Sequence, residues 1–210
     1  MTQTDPFYSI ARSTGDRIAT AQLKIKRSTF TCRLTHAGTI DAAKAFITAV
    51  SRDNKTATHN CWAYIVGDAG QTCHCYDAGE PSGTAGKPML NVLTSHRMTQ
   101  VAAVVTRQYG GVKLGIRGLI QAYSEAVEAA LAAAGKVRLI QAKQVRVQVP
   151  YDCNDPLLNQ VRQFNARIVD TDYKEWIVHD ILVEKHRVSD FIQMLTQFEA
   201  HGLKVLEKSD

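Results

Sequence analysis

Two stretches of this 210-residue chain concentrate the residue types that chemistry needs. The first reads Asp77-Ala78-Gly79-Glu80-Pro81-Ser82-Gly83-Thr84-Ala85-Gly86-Lys87-Pro88. The second follows Arg107 and reads Tyr109-Gly110-Gly111-Val112-Lys113-Leu114-Gly115-Ile116-Arg117-Gly118. In both, glycines allow a tight backbone path and a helical pattern follows, so unpaired N–H groups gather at a helix start. Lys87 stands beside the first such start; Arg107, Lys113 and Arg117 surround the second. Backbone donors plus cations at a helix N-terminus are a means of holding an anion. Gly83 and Gly86, with Gly110, Gly111 and Gly115, are the expected donors or points of close approach. If the sheet brings the loops together, they make one anion-binding face.

Neither loop is a nucleotide cradle of a familiar kind. A Walker A pattern would place its first glycine at Pro81 and its hydroxyl residue at Pro88, so it fails twice. The second loop lacks the G-x-G-x-x-G spacing of a dinucleotide site.

An enzymatic alternative uses the same place. Asp77 or Glu80 would act as acid or base on a small anionic substrate, with Arg107 as its clamp. A nucleophile built from Cys61 and His59 needs an exposed thiol within reach of the imidazole. Strand alternation puts those two side chains on one face, but Cys61 in Cys-Trp-Ala-Tyr reads better as a buried structural cysteine. Cys73-His74-Cys75 is too closely spaced to close a tetrahedral zinc site, and no second ligand pair accompanies it. No metal and no cofactor are expected. Trp62 and Trp176 read as core anchors rather than base-stacking platforms.

The elements that must position these loops are legible in outline. Strands are expected around 18–25 and 29–34, followed by a helix capped by Thr39 with Ala42, Ala45, Phe46, Ala49 and Val50 inward. Cys61–Val66 reads as a buried strand, 67–86 as a long loop, and a helix begins near Pro88. Val101–Arg107 is the most strand-like run, and the helix after it ends at Gly135. Beyond residue 140 the order is β-α-β-β-α-β, the ferredoxin-like pattern. The fold class is therefore α+β: a two-layer α/β domain over 1–140 and a ferredoxin-like domain over 141–210.

Charge divides the same way. Up to Ile140 there are 16 Lys+Arg against 9 Asp+Glu, a net +7, and the remainder carries −2. A basic domain beside a mildly acidic one points the first toward a polyanion. Five cysteines, two of them isolated, do not resemble a secreted disulfide framework. With no signal-peptide pattern and no apolar run of membrane-spanning length, a cytoplasmic protein with no membrane partner is expected.

Three runs carry a family resemblance: His59-Asn60-Cys61-Trp62-Ala63-Tyr64, Gly79–Leu90 (GEPSGTAGKPML) and Thr106–Tyr123 (TRQYGGVKLGIRGLIQAY). They closely resemble the signatures of the IMPACT/YigZ family. Arg27-Ser28-Thr29-Phe30 is similar to that family's entry strand with one residue changed. The resemblance implies an N-terminal domain like domain IV of elongation factor G and a C-terminal domain like its domain V. That pairing implies RNA or ribosome binding, and the eukaryotic relatives imply a protein partner in translation control. A proline-dipeptidase label carried by some members needs a two-metal cage that Asp77 and Glu80 alone do not supply. Two departures stand out: Asp77-Ala78 replaces a usual acid pair, and Gly115-Ile116-Arg117-Gly118 replaces Gly-Thr-Gly-Gly.

Overall fold

A computed structural model of the chain describes residues 6–11 and 18–208. The chain divides into two compact units, Met1–Leu139 and Ile140–Asp210. The first unit opens with β1 (Tyr8–Ile10), β2 (Ala19–Ile25) and β3 (Ser28–His36), then α1 (Ile40–Asp53), β4 (His59–Val66) and β5 (Thr72–Tyr76). It continues with α2 (Gly86–Ser95), β6 (Val101–Gln108), α3 (Gly115–Ala134) and β7 (Lys136–Arg138). Five strands form one antiparallel sheet in the order β2-β3-β6-β4-β5. A separate two-stranded sheet pairs β1 with β7.

Alternation along β4 and β6 explains the layering. Cys61, Ala63 and Ile65, with Val101, Ala103 and Val105, face a core shared with Met89 and Leu93 of α2 and Leu119, Tyr123 and Val127 of α3. The intervening Tyr64, Val66, Ala102 and Val104 face Ala43, Ile47 and Val50 of α1. Strands apolar on both faces need cover on both sides. Thus α1 adds a third layer to the two expected from sequence. Thr39 does cap α1, its Oγ1 accepting from Ala42 N–H at 3.1 Å, but the inward stripe is Ala43, Ile47 and Val50.

The second difference is β5. Thr72–Tyr76 falls inside the stretch expected to be loop, because Thr-Cys-His-Cys-Tyr has no apolar alternation. Its pairing to β4 comes from backbone hydrogen bonds, from Trp62 opposite Tyr76 to Val66 opposite Thr72. Helix α2 begins at Gly86, two residues before Pro88; a proline in the first turn removes only an N–H that has no helical partner.

The second unit contains β8 (Ala142–Val149), α4 (Asn154–Gln163), β9 (Arg167–Tyr173), β10 (Ile177–Glu184), α5 (Val188–Glu199) and β11 (Lys204–Lys208). Its antiparallel sheet has the order β11-β8-β10-β9. That order is the ferredoxin-like arrangement read from the sequence. Val145, Val147 and Val149 pack with Leu157, Ile181, Phe191 and Leu195 in its core. Both helices start earlier than their Asp155 and Ser189 cap signals indicate, each continuing a short 3₁₀ turn.

Candidate functional site: the loop end of the five-stranded sheet

Antiparallel register brings four connections to one end of the large sheet. Thr29 of β3 lies opposite Gln108, and His59 opposite Arg107. The β2–β3 turn, the entry to β4 and the start of the second glycine loop therefore meet. Tyr76, opposite Trp62, delivers the first glycine loop to the same end.

The first loop is closed by its own acid. Asp77 Oδ2 accepts from Gly83 N–H at 2.8 Å, and Oδ1 accepts from Ala85 and Gly86 N–H at 3.0 and 2.8 Å. Burial pushes the Asp77 carboxyl up, but these three donors outweigh it and hold the pKa below the ordinary carboxylate range. The donors expected to be unpaired at Gly83 and Gly86 are thus occupied by an anion from within the chain. Glycine is obligatory at 86 for another reason: a Cβ there would lie 2.7 Å from the Tyr76 backbone.

The loops are joined by a buried ion pair. Arg107 Nη1 donates to Glu80 Oε1 at 2.6 Å, and both side chains are almost fully buried. Tyr123 Oη donates to the same oxygen at 2.8 Å. Arg107 Nη2 also donates to Ser28 Oγ at 3.4 Å, and its guanidinium sits 5.3 Å from the centroids of both Phe30 and Tyr109. Arg107, expected as a phosphate contact or anion clamp, is therefore committed to an internal partner. Glu80, with 3% of its side-chain surface exposed, faces Arg107 and Tyr123 rather than solvent.

The remaining enzyme candidates fit the same structural account. His59 lies beside the first loop, with Nδ1 2.9 Å from the Ala78 carbonyl oxygen and Nε2 3.8 Å from Glu80 Oε1. The Cys61 thiol shares its one proton between the Asp77 carbonyl at 2.9 Å and the Tyr123 hydroxyl at 3.3 Å. Burial pushes this thiol up to about 12, the reverse of what a nucleophile requires. Burial likewise raises the Tyr123 phenol above its usual value. Along β5, alternation sends Cys73 and Cys75 to one face and His74 to the other, where its ring meets Tyr64 at 5.5 Å. The three side chains do not converge.

The second loop is open. Tyr109 N–H and Gly110 N–H are tied to the Thr58 and Ser28 hydroxyls, at 3.0 and 3.3 Å. From there Gly111, Lys113, Gly115, Ile116 and Arg117 are all exposed. A Cβ at Gly111 or Gly115, as at Gly83, would meet nothing within 4 Å. Helix α3 has no acidic residue in its first turn and no side-chain cap, while Arg117 sits inside that turn. Cationic groups at the positive end of a helix are disfavoured electrostatically until an anion joins them.

The strands expected at 18–25 and 29–34 bracket a hairpin turn beside this loop, but its Lys26 and Arg27 were not among the expected site residues. Lys26 and Arg27 hold φ values of 44° and 68°, a conformation that two-residue hairpins normally assign to Asn-Gly. Non-glycine residues there cost on the order of 1 kcal/mol each. Both are exposed, and a Cβ at Gly110 would collide with the Arg27 carbonyl, so the turn and the second loop pack backbone to backbone. The signal was the unbroken Lys24-Ile25-Lys26-Arg27 run between two strands. Lys87 is exposed farther along, lining a groove of about 350 Å³ with Gly83, Pro88, Asn91, Val92 and Ile120.

An α+β protein with a glycine-loop face at one sheet end and a ferredoxin-like second unit is the class so defined. Residues 26–131 match the family model described as Impact N-terminal domain. The chain is 34% identical over 176 residues to IMPACT family member YvyE of Bacillus subtilis (strain 168), covering 84% of this chain and 81% of that one. It is 33% identical over 185 residues to IMPACT family member YigZ of Escherichia coli (strain K12), covering 87% and 91%. A crystal structure of a hypothetical protein aligns over 97% of both chains with a TM-score of 0.63 and 30% identity. The chain belongs to the IMPACT family.

Proposed function

We propose that this chain is a non-enzymatic RNA-binding protein, acting on free or ribosomal RNA in the control of translation, and that it binds through the loop end of its five-stranded sheet. The observation that carries this reading is an imbalance of charge. The acids of the loops, Asp77 and Glu80, are neutralised internally, whereas Lys26, Arg27, Lys113 and Arg117 stand exposed around an uncapped helix start. Phosphate groups would be met by those cations, with Lys87 at the margin, and by backbone N–H groups at Gly111 and Gly115. The link to translation rests on the family resemblance.

The test is RNA binding across a salt titration, using a single-stranded oligoribonucleotide and purified small ribosomal subunits. Lys113→Ala/Arg117→Ala should weaken binding and reduce the log–log salt slope by roughly 0.7 for each phosphate of a single strand that is no longer neutralised. Identical affinity and slope in the two proteins would sink the proposal.

A further inference from the structure

The opposite face of the same sheet end holds an aromatic ladder that the loops do not use. Trp62 and Tyr64 of β4 project on the α1 side, and β5 sets Tyr76 beside Trp62 and His74 beside Tyr64. The Trp62 and Tyr64 rings are stacked, 13° from parallel with centroids 5.8 Å apart. Trp62 and Tyr76 are also 5.8 Å apart, tilted by 38°. Helix α1 covers Tyr64, which is buried, yet Tyr76 is 56% exposed and Trp62 only half-buried. Strand β5 is the sheet's edge, so no further strand of the described residues covers this end of the ladder.

Two aromatic residues held in place by a third are costly to leave in water and rigid enough to receive a flat ligand. Two exposed cations, Lys55 and Arg52, adjoin the ladder, the second paired with Asp53. Asn60 Nδ2 donates to the Asn54 carbonyl at 3.1 Å, which fixes the loop carrying exposed Lys55 over the start of β4, two residues from Trp62. Exposed Arg52 closes the last turn of α1 beside it, with Asp53 as its neighbour. Lys113, on the second loop, and Arg117, in the first turn of α3, follow β6 at the same sheet end.

We propose that Tyr76 and Trp62, braced by Tyr64, form a stacking platform for unpaired nucleobases, so that the polyanion bound by this protein is single-stranded RNA rather than duplex. This rests on the RNA-binding reading above and adds the ligand's strandedness to it. A duplex hides its base faces and offers the protein only backbone and groove. A single strand can lay phosphates along the cations while one or two bases stack on Tyr76 and Trp62. Stacking of this kind tolerates any base, so the platform confers strandedness without sequence preference.

The experiment compares a ten-nucleotide RNA of mixed sequence with the same strand annealed to its complement. It uses full-length protein carrying Trp176→Phe, so that Trp62 is the remaining tryptophan. The single strand should quench Trp62 fluorescence and bind more tightly than the duplex. Tyr76→Ala should weaken single-strand binding roughly tenfold, in the range expected for one base without its stacking partner, and leave duplex binding unchanged. Tyr76→Phe, which keeps the ring, should restore it. Equal affinity for both forms, with no quenching and no effect of Tyr76→Ala, would overturn the platform. If Lys113→Ala/Arg117→Ala still weakened both forms, the RNA-binding reading would survive that result. Binding of neither form would overturn both readings and leave the face as a protein contact surface.

Discussion

The two glycine loops look alike in sequence and differ in what their backbone donors are doing. The first folds around Asp77, which takes the Gly83 N–H within the loop and the Ala85 and Gly86 N–H groups at the start of α2, and so supplies that helix with its anion. The second is fastened at its root by Thr58 and Ser28 and at its end by Leu114 against the core, and between and beyond them it exposes Gly111, Lys113 and the first turn of α3 with Arg117. Glycine-rich loops at helix starts thus serve two physical ends. One whose donors are saturated from within is a brace; one whose positive charge is unanswered is a contact surface. The Glu80–Arg107 pair makes the first a support for the second.

The sharpest way to break this contrast is to remove the link. Glu80→Ala leaves Arg107 buried without its counter-charge and should cost about 3–5 kcal/mol of stability by denaturant unfolding. A change below about 1 kcal/mol, the scale of an exposed pair, would mean the pair does not hold the loops. Asp77→Ala comes next, at about 2–3 kcal/mol, because three backbone donors are left without a charged acceptor. If the first loop instead served external anions, this variant would gain phosphate affinity.

The pH dependence follows from the lowered Asp77 pKa. A carboxyl whose folded pKa lies below its unfolded value of about 3.9 contributes fully above that value. Its contribution disappears as pH falls through the folded pKa. Asp77→Asn should therefore differ from wild type at neutral pH and converge with it in strong acid. Smallest in stability is the second loop. Lys113→Ala/Arg117→Ala should change unfolding free energy by less than about 0.5 kcal/mol, as exposed substitutions usually do. The same variant should show its effect in RNA binding alone. A large destabilisation there would erase the distinction between brace and surface.

Much of this was legible without coordinates. The α+β class, the ferredoxin-like order after residue 140 and the end of α3 at Gly135 all follow from local pattern. So does the position of both glycine loops. Strand β5 was not legible, because its residues have no alternation and it exists only through pairing with β4. The aromatic ladder depends on that pairing, which explains why Trp62 alone read as a core anchor. Cys61 as a buried structural thiol needed only its apolar neighbours, whereas its partners Asp77 and Tyr123 did not follow from them.

Taken by itself, the sequence determined where the two glycine loops lie, which helices follow them and where positive charge accumulates, since those depend on residues near one another in the chain. Tertiary structure decided which charges are spent. Asp77 meets donors six to nine residues ahead, Glu80 meets Arg107 27 residues away, and Tyr123 reaches back 43. Whether a cation faces solvent or an internal partner is a property of packing and burial. Local pattern carries no record of it, and that distinction separates the brace from the face.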